Sequence, residues 1–199
     1  MTDGKEITLD RRKVVARILR ERGDALLVTG LGNTTWDAAA AGDHNHNFYL
    51  WGAMGGAALV GLGLALAQPA RRVLVITGDG EMLMGLGGLA TIAVQRPANL
   101  AVIVIDNEAY AETGMQATHT RHGVDLAGMA AAAGFSENMT VFDDAGLETL
   151  VPKIYQEAGP VFAAIKVAAI AAPTVLPPRD GTYIRSRFRQ AVLGAEANQ

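Results

Sequence analysis

The chain has 199 residues, of which half are hydrophobic and 19% charged, with a formal net charge of -3 and no cysteine. This allows one large domain with a full core and leaves apolar surface for a sizeable interface. It excludes disulfides and thiolate-held metals or clusters within the chain, and the scattered basic residues give no footprint for nucleic acid.

Thr2 to Arg22 is charged and amphipathic, with a helix near Asp10 to Arg22 presenting Val14, Val15, Ile18 and Leu19 on one side. It has no signal-peptide character, so a cytoplasmic location is expected. Ala25 to Thr29 reads as a strand. In the GLGNTTWD that follows, Asn33 and Thr34 either face a ligand or cap a helix before Trp36. His44 and His46, in AGDHNHN, read as a polar loop rather than a metal pair.

Phe48 to Ala67 carries no charge over twenty residues, the length of a membrane span. Its five glycines and the absence of a flanking lysine cluster favour a buried helix, Met54 to Gln68, whose glycines admit a close approach. Then come a strand Val73 to Thr77, a helix Leu83 to Gln95, a strand Leu100 to Asp106, a helix opened by Asp125, a short strand near Val141, a helix Leu147 to Ala158 and a strand Val161 to Val167. Pro152 should kink or shorten the last helix. The alternation implies an α/β fold, a doubly wound mostly parallel sheet with helices on both faces. One domain spans 1–199, with 170–199 as an extended C-terminal arm; Arg185, Arg187 and Arg189 in it read as a solvated basic edge or a docking arm.

In VLVITGDGEM, Asp79 sits between two glycines just past a buried strand. Such a carboxylate is costly when buried unless a cation or donors meet it, although glycine and aspartate also make ordinary turns. One crossover separates it from Asn107, and a right-handed βαβ unit brings both to the same end of the sheet. A carboxylate and an amide oxygen there suit Mg²⁺, which takes phosphate oxygens as further ligands, and a helix amino terminus after the strand favours an anion.

TGDGEMLMGLGGLATIAVQRPANLAVIVIDNEAY resembles the GDG-x(about 26)-N signature of thiamine diphosphate enzymes. The resemblance implies that Mg²⁺ is held by the side chains of Asp79 and Asn107 and the main-chain oxygen of Ala109. It places Gly78, Gly80, Glu81, Tyr110, Ala111 and Glu112, with Asn33 and Thr34, around the cofactor. In LWGAMG, the match gives Gly52 a backbone oxygen for the aminopyrimidine and makes Met54, beyond Ala53, a wedge beneath the thiazolium; ordinary core filling is the other reading of Met54.

The resemblance runs from about Ala25 to Val167 and is greatest to the small subunits of split sulfopyruvate and phosphonopyruvate decarboxylases, whose post-asparagine loop ETGMQATHT resembles. Where many relatives have asparagine and glycine, this chain has Asp106 and Ala109. Glu81 stands where a small residue is usual, so its side chain must point away from the phosphates. The implied activity is a 2-oxo acid decarboxylase releasing CO2 and an aldehyde; the alternatives are an acetolactate synthase-like carboligase subunit or a non-catalytic cofactor-binding subunit. The proton-donating glutamate of the family belongs to a pyrimidine-binding domain for which this chain has no room, so that domain is expected on a partner subunit of a hetero-oligomer. His119 and Arg121 are the candidate cations for a phosphonate or sulfonate on the substrate.

Overall fold

A computed structural model describes residues 7–198; the amphipathic reading of Thr2 to Glu6 lies outside them. Asp10 opens the first helix by accepting from the Arg12 and Lys13 amides, which satisfies donors that a helix start otherwise leaves free. In chain order the elements are α1 (Arg11–Leu19), β1 (Leu26–Thr29), α2 (Asn33–Ala40), β2 (Asn47–Tyr49), α3 (Ala57–Ala67), β3 (Val73–Gly78), α4 (Asp79–Met84), α5 (Gly88–Gln95), β4 (Leu100–Asp106), β5 (Ala109–Tyr110), β6 (Gln116–Ala117), α6 (Leu126–Ala133), β7 (Glu137–Val141), α7 (Asp144–Gln156), β8 (Val161–Lys166) and α8 (Gly181–Leu193).

Six strands form one sheet in the order β2-β1-β3-β4-β8-β7, and every neighbouring pair is parallel. The strands β1, β3, β4 and β8 are apolar runs because both of their faces are covered. Leu27, Leu74, Ile103 and Ile165 pack with α1 and α7; Leu26, Val75, Val102 and Phe162 pack with α3, α5 and α6. From β1 the chain turns outward to β2 and then crosses back to β3, so the strand order reverses between β1 and β3. In open α/β sheets, that reversal leaves a crevice beyond the carboxyl ends of the two strands, and ligands bind there.

Several boundaries differ from the sequence expectations for local reasons. The apolar stretch Phe48 to Ala67 is divided into β2, a loop and an eleven-residue helix, and among the described residues no helix is long and apolar enough to cross a membrane. Gly61 lets that helix lie on β3: a Cβ there would be 2.2 Å from Val75 Cγ2. The single helix expected over Leu83 to Gln95 is two. α4 begins at Asp79 itself and stops at Gly85, where the backbone passes so close to Gly55 that a Cβ would lie 2.1 Å from its carbonyl oxygen.

Pro152 does not shorten α7, which runs on to Gln156 with Leu147, Leu150, Val151 and Ile154 anchored in the core. The C-terminal arm is extended only up to Asp180. Beyond it, α8 docks through buried Ile184, the Phe188 ring on Phe48 (centroids 5.5 Å apart) and an ion pair between Arg187 and Asp43.

Candidate active site

The crevice between β1 and β3 holds a cavity of about 140 Å³. One wall follows β1, where the Thr35 hydroxyl lies 2.8 Å from the Thr29 hydroxyl and 2.6 Å from the Gly30 carbonyl, fixing the turn that presents Leu31, Gly32, Asn33 and Thr34. Asn33 is the first residue of α2, whose N-cap is Gly32 with no side-chain cap bond, and the Thr34 hydroxyl donates back to the Leu31 carbonyl at 3.3 Å; both residues line the cavity, and neither side chain caps the helix. The floor is the start of α4, with Gly78, Asp79, Gly80 and Glu81, and the far wall is Asn107, Ala109, Tyr110, Ala111 and Glu112. Met54 closes one side.

Gly80 is glycine because the Tyr110 ring lies over it, 2.3 Å from where a Cβ would be. The glycine-flanked aspartate is therefore part of a packed helix start and not a solvated turn.

Asp79 is 2% exposed. Its Oδ2 accepts from the hydroxyls of Thr118 and, at 3.2 Å, Thr120, and among the described residues no cation pairs with it. Burial and the neighbouring Asp106 carboxylate push its pKa up to about 6. Asn107 follows β4, and its Oδ1 accepts from the Ala109 amide at 3.2 Å. Between them Glu108 adopts a left-handed conformation, φ 59°, uncommon for a side chain of its size. Its amide on Asp106 Oδ1 (3.1 Å) and its carboxylate on Lys166 (2.7 Å) hold that turn.

The Glu81 carboxylate occupies the space over Gly30, where a Cβ would lie 1.6 Å from its Oε2. Both its oxygens are buried without a hydrogen bond, and burial raises its pKa. The Thr77 hydroxyl and the Leu31, Ala57 and Gly55 amides pull the other way, but none closes a bond with it. Glu112, beside Gly32, is raised by burial as well. The lining thus carries three carboxylates and one guanidinium, Arg11, which is committed to buried Asp37.

Asp79, Asn107 and Ala109 line the same cavity, and their oxygens are of the hard kind that Mg²⁺ takes. No group of three or more His, Cys, Asp or Glu that could hold a metal occurs among the described residues, so a cation here would depend on ligand oxygens for the rest of its shell.

Three further expectations concern residues at the edge of this cavity or outside it. Gly52 and Ala53 do not line this cavity as it stands. They lie in the exposed loop held by the Trp51 indole on the Pro178 carbonyl, 3.0 Å away. Met54 is 41% exposed and does not fill the core. His119 and Arg121 sit on a 3-10 turn, His119–His122, outside the cavity; Arg121 lines instead a wider concavity of about 800 Å³ with Asp106, His122 and Lys166.

The sequence reading missed Thr118, Thr120, Lys166 and Arg11. Lys166 had a legible signal, since it is the one charge in the strand VFAAIK and stands opposite Asp106 in the β4–β8 register.

Comparison with known proteins identifies the family. Residues 30–165 match the family described as thiamine pyrophosphate enzyme, C-terminal TPP binding domain. Over 188 residues the chain is 39% identical to the sulfopyruvate decarboxylase subunit beta of Methanothermobacter thermautotrophicus, covering 94% of this chain and 97% of that one. It is 45% identical over 112 residues to the phosphonopyruvate decarboxylase of Streptomyces viridochromogenes, covering 56% of this chain but only 28% of that longer protein. The fold matches benzoylformate decarboxylase from Polynucleobacter necessarius with a TM-score of 0.68 at 15% identity, over 87% of this chain and 36% of that one. The chain belongs to the thiamine pyrophosphate enzymes and carries the C-terminal TPP-binding domain of that family.

Proposed function

We propose that this chain is the diphosphate-binding subunit of a thiamine diphosphate-dependent 2-oxo acid decarboxylase, which releases CO2 and an aldehyde and is active only with a partner subunit. The observation that carries the proposal is Asp79: a buried carboxylate that no cation among the described residues meets, at the strand-order reversal and lining one cavity with Asn107. Thiamine diphosphate, when bound, supplies the nucleophilic carbon and takes up the electrons left by departing CO2.

The chain's own residues do the rest. Asp79 and Asn107, through side-chain oxygens, and Ala109, through its carbonyl, would hold Mg²⁺, which would supply positive charge for the diphosphate. The first turn of α2, at Asn33 and Thr34, offers amide donors to the same anion. Gly78, Gly80, Tyr110, Ala111 and Glu112 enclose the site. The Glu81 side chain stays over Gly30, so its backbone amide would be the group it offers to a diphosphate. Gly52 and Ala53 belong to the exposed loop that carries Met54; with a partner over that side, Met54 would lie beneath the thiazolium and the Gly52 carbonyl would meet the aminopyrimidine.

The glutamate that protonates the aminopyrimidine belongs to the pyrimidine-binding subunit, and no catalytic residue is assigned to this chain. The relatives called sulfopyruvate decarboxylase subunit beta and phosphonopyruvate decarboxylase suggest a 2-oxo acid with a second, sulfonate or phosphonate, anion. His119 and Arg121 are retained as its candidate cations only as far as the partner extends the site toward them.

The test is to supply the chain, Mg²⁺ and thiamine diphosphate with sulfopyruvate or phosphonopyruvate, alone and with the pyrimidine-binding subunit, and to measure CO2 and aldehyde. Turnover in the mixture and none with the chain alone is the expected result. Comparable turnover by the chain alone overturns the split-enzyme reading, and an acetohydroxy acid product identifies a carboligase instead.

A further inference from the structure

The two ends of the proposed metal site come from different parts of the chain: Asp79 from the start of α4, Asn107 and Ala109 from the segment after β4. Among the described residues, the side-chain hydrogen bonds that reach Asp79 come from two hydroxyls, Thr118 and Thr120. Both follow the short hairpin in which β5 pairs with β6, Ala109 opposite Ala117. The Thr118 amide is bonded to the Glu108 carbonyl at 3.1 Å. Thr118 is thereby tied on one side to the residues flanking Ala109 and on the other to Asp79.

Thr120 extends the tie. Its hydroxyl is 2.9 Å from that of Thr118 and 2.8 Å from Asp106 Oδ1, and Asp106 Oδ2 is held by Lys166 Nζ at 2.8 Å. All five residues are at most 6% exposed, so water competes little for these bonds. Four oxygen-oxygen contacts are served by two hydroxyl protons. With Asp79 ionised, the Thr118 proton goes to Asp79 Oδ2, and the Thr120 proton is shared between Asp106 Oδ1 at 2.8 Å and Asp79 Oδ2 at 3.2 Å. Both contacts to Asp79 fall on Oδ2, which leaves Oδ1 as the oxygen for a cation.

We propose that Thr118 and Thr120 are positioning residues for the metal, a hydroxyl bracket that holds Asp79 in register with Asn107 and Ala109 and is itself anchored by Asp106 and Lys166. The inference rests on the cofactor reading above and adds to it which residues set metal affinity without touching the metal. Groups that orient a ligand from behind typically govern metal affinity by about 10- to 100-fold.

The test uses the full chain in complex with the pyrimidine-binding subunit, with thiamine diphosphate present, and follows Mn²⁺ uptake by the loss of its free-ion paramagnetic resonance signal, with thermal unfolding recorded without metal. Thr120→Val and Thr118→Val should each weaken Mn²⁺ by at least about 10-fold, while Thr120→Ser, which keeps the hydroxyl, binds as the wild type does. A fold-only role would lower the unfolding temperature and leave Mn²⁺ affinity unchanged; folded valine variants with wild-type affinity overturn the bracket. Should Thr120→Val fail to fold, Thr118→Val, together with wild-type-like binding by Thr120→Ser, carries the test. Failure of the wild type itself to take up Mn²⁺ overturns the cofactor reading along with the bracket, an outcome distinct from normal uptake that ignores the substitutions.

Discussion

Asp79 and Asp106 leave neighbouring strands at the same end of the sheet, and each is 2% exposed, yet the two crevices they face treat buried charge differently. Beyond β4 and β8, the negative charges of Asp106 and Glu108 meet Lys166 at 2.8 and 2.7 Å. Beyond β1 and β3, Asp79 has hydroxyls but, among the described residues, no cation, and among those residues the Glu81 carboxylate has no hydrogen bond. A paired buried charge costs its desolvation and recovers much of it from the partner; an unpaired one recovers nothing within the chain. Burial alone therefore does not mark the functional crevice. What marks it is burial without compensation, which a bound cation would supply.

The comparison breaks most visibly at Asp79. Asp79→Ala should abolish Mg²⁺-dependent thiamine diphosphate binding while the metal-free protein unfolds no more easily than the wild type, since no partner cation is stranded; titration calorimetry and a melting curve check both halves. Lys166→Met is the opposite case. It leaves Asp106 and Glu108 without their cation and should cost about 3 to 5 kcal/mol of stability, as broken buried pairs do, readable in urea unfolding.

Met54→Ala sharpens the contrast between shaping a cofactor and holding it. Turnover by the reconstituted complex should fall while metal affinity is retained, and the melting temperature should move far less than the roughly 2 to 5 kcal/mol that a core methionine would lose, because Met54 is 41% exposed. The smallest effects belong to Arg121→Ala and His119→Ala. Neither residue lines the cavity, so cofactor and metal affinity should be unchanged in calorimetry, and a rise in KM for the anionic 2-oxo acid would be the sign of a substrate role.

The strands around the site were legible because both of their faces are buried, which writes them as continuous apolar, β-branched runs between glycine and aspartate. The reversal between β1 and β3 was not, since β2 is three residues long, too short to show a period. The hairpin of β5 and β6, two residues each, was hidden for the same reason, and with it the position of Thr118 and Thr120 beside Asp79. In α8 the alternating arginines drew the reading away from Ile184, Phe188 and Val192, whose spacing of four is helical. Asp79, Asn107 and Ala109 were reached through the signature, whereas Lys166 and Arg11 act through partners distant in sequence that only the folded chain brings together.

The most direct measurement is the anomalous difference density of a crystal of the complex grown with Mn²⁺ and thiamine diphosphate. The account predicts one peak coordinated by the Asp79 and Asn107 side chains and the Ala109 carbonyl, with diphosphate oxygens completing the shell. A peak in the Asp106–Lys166 crevice, or cofactor bound with no metal at Asp79, would contradict it.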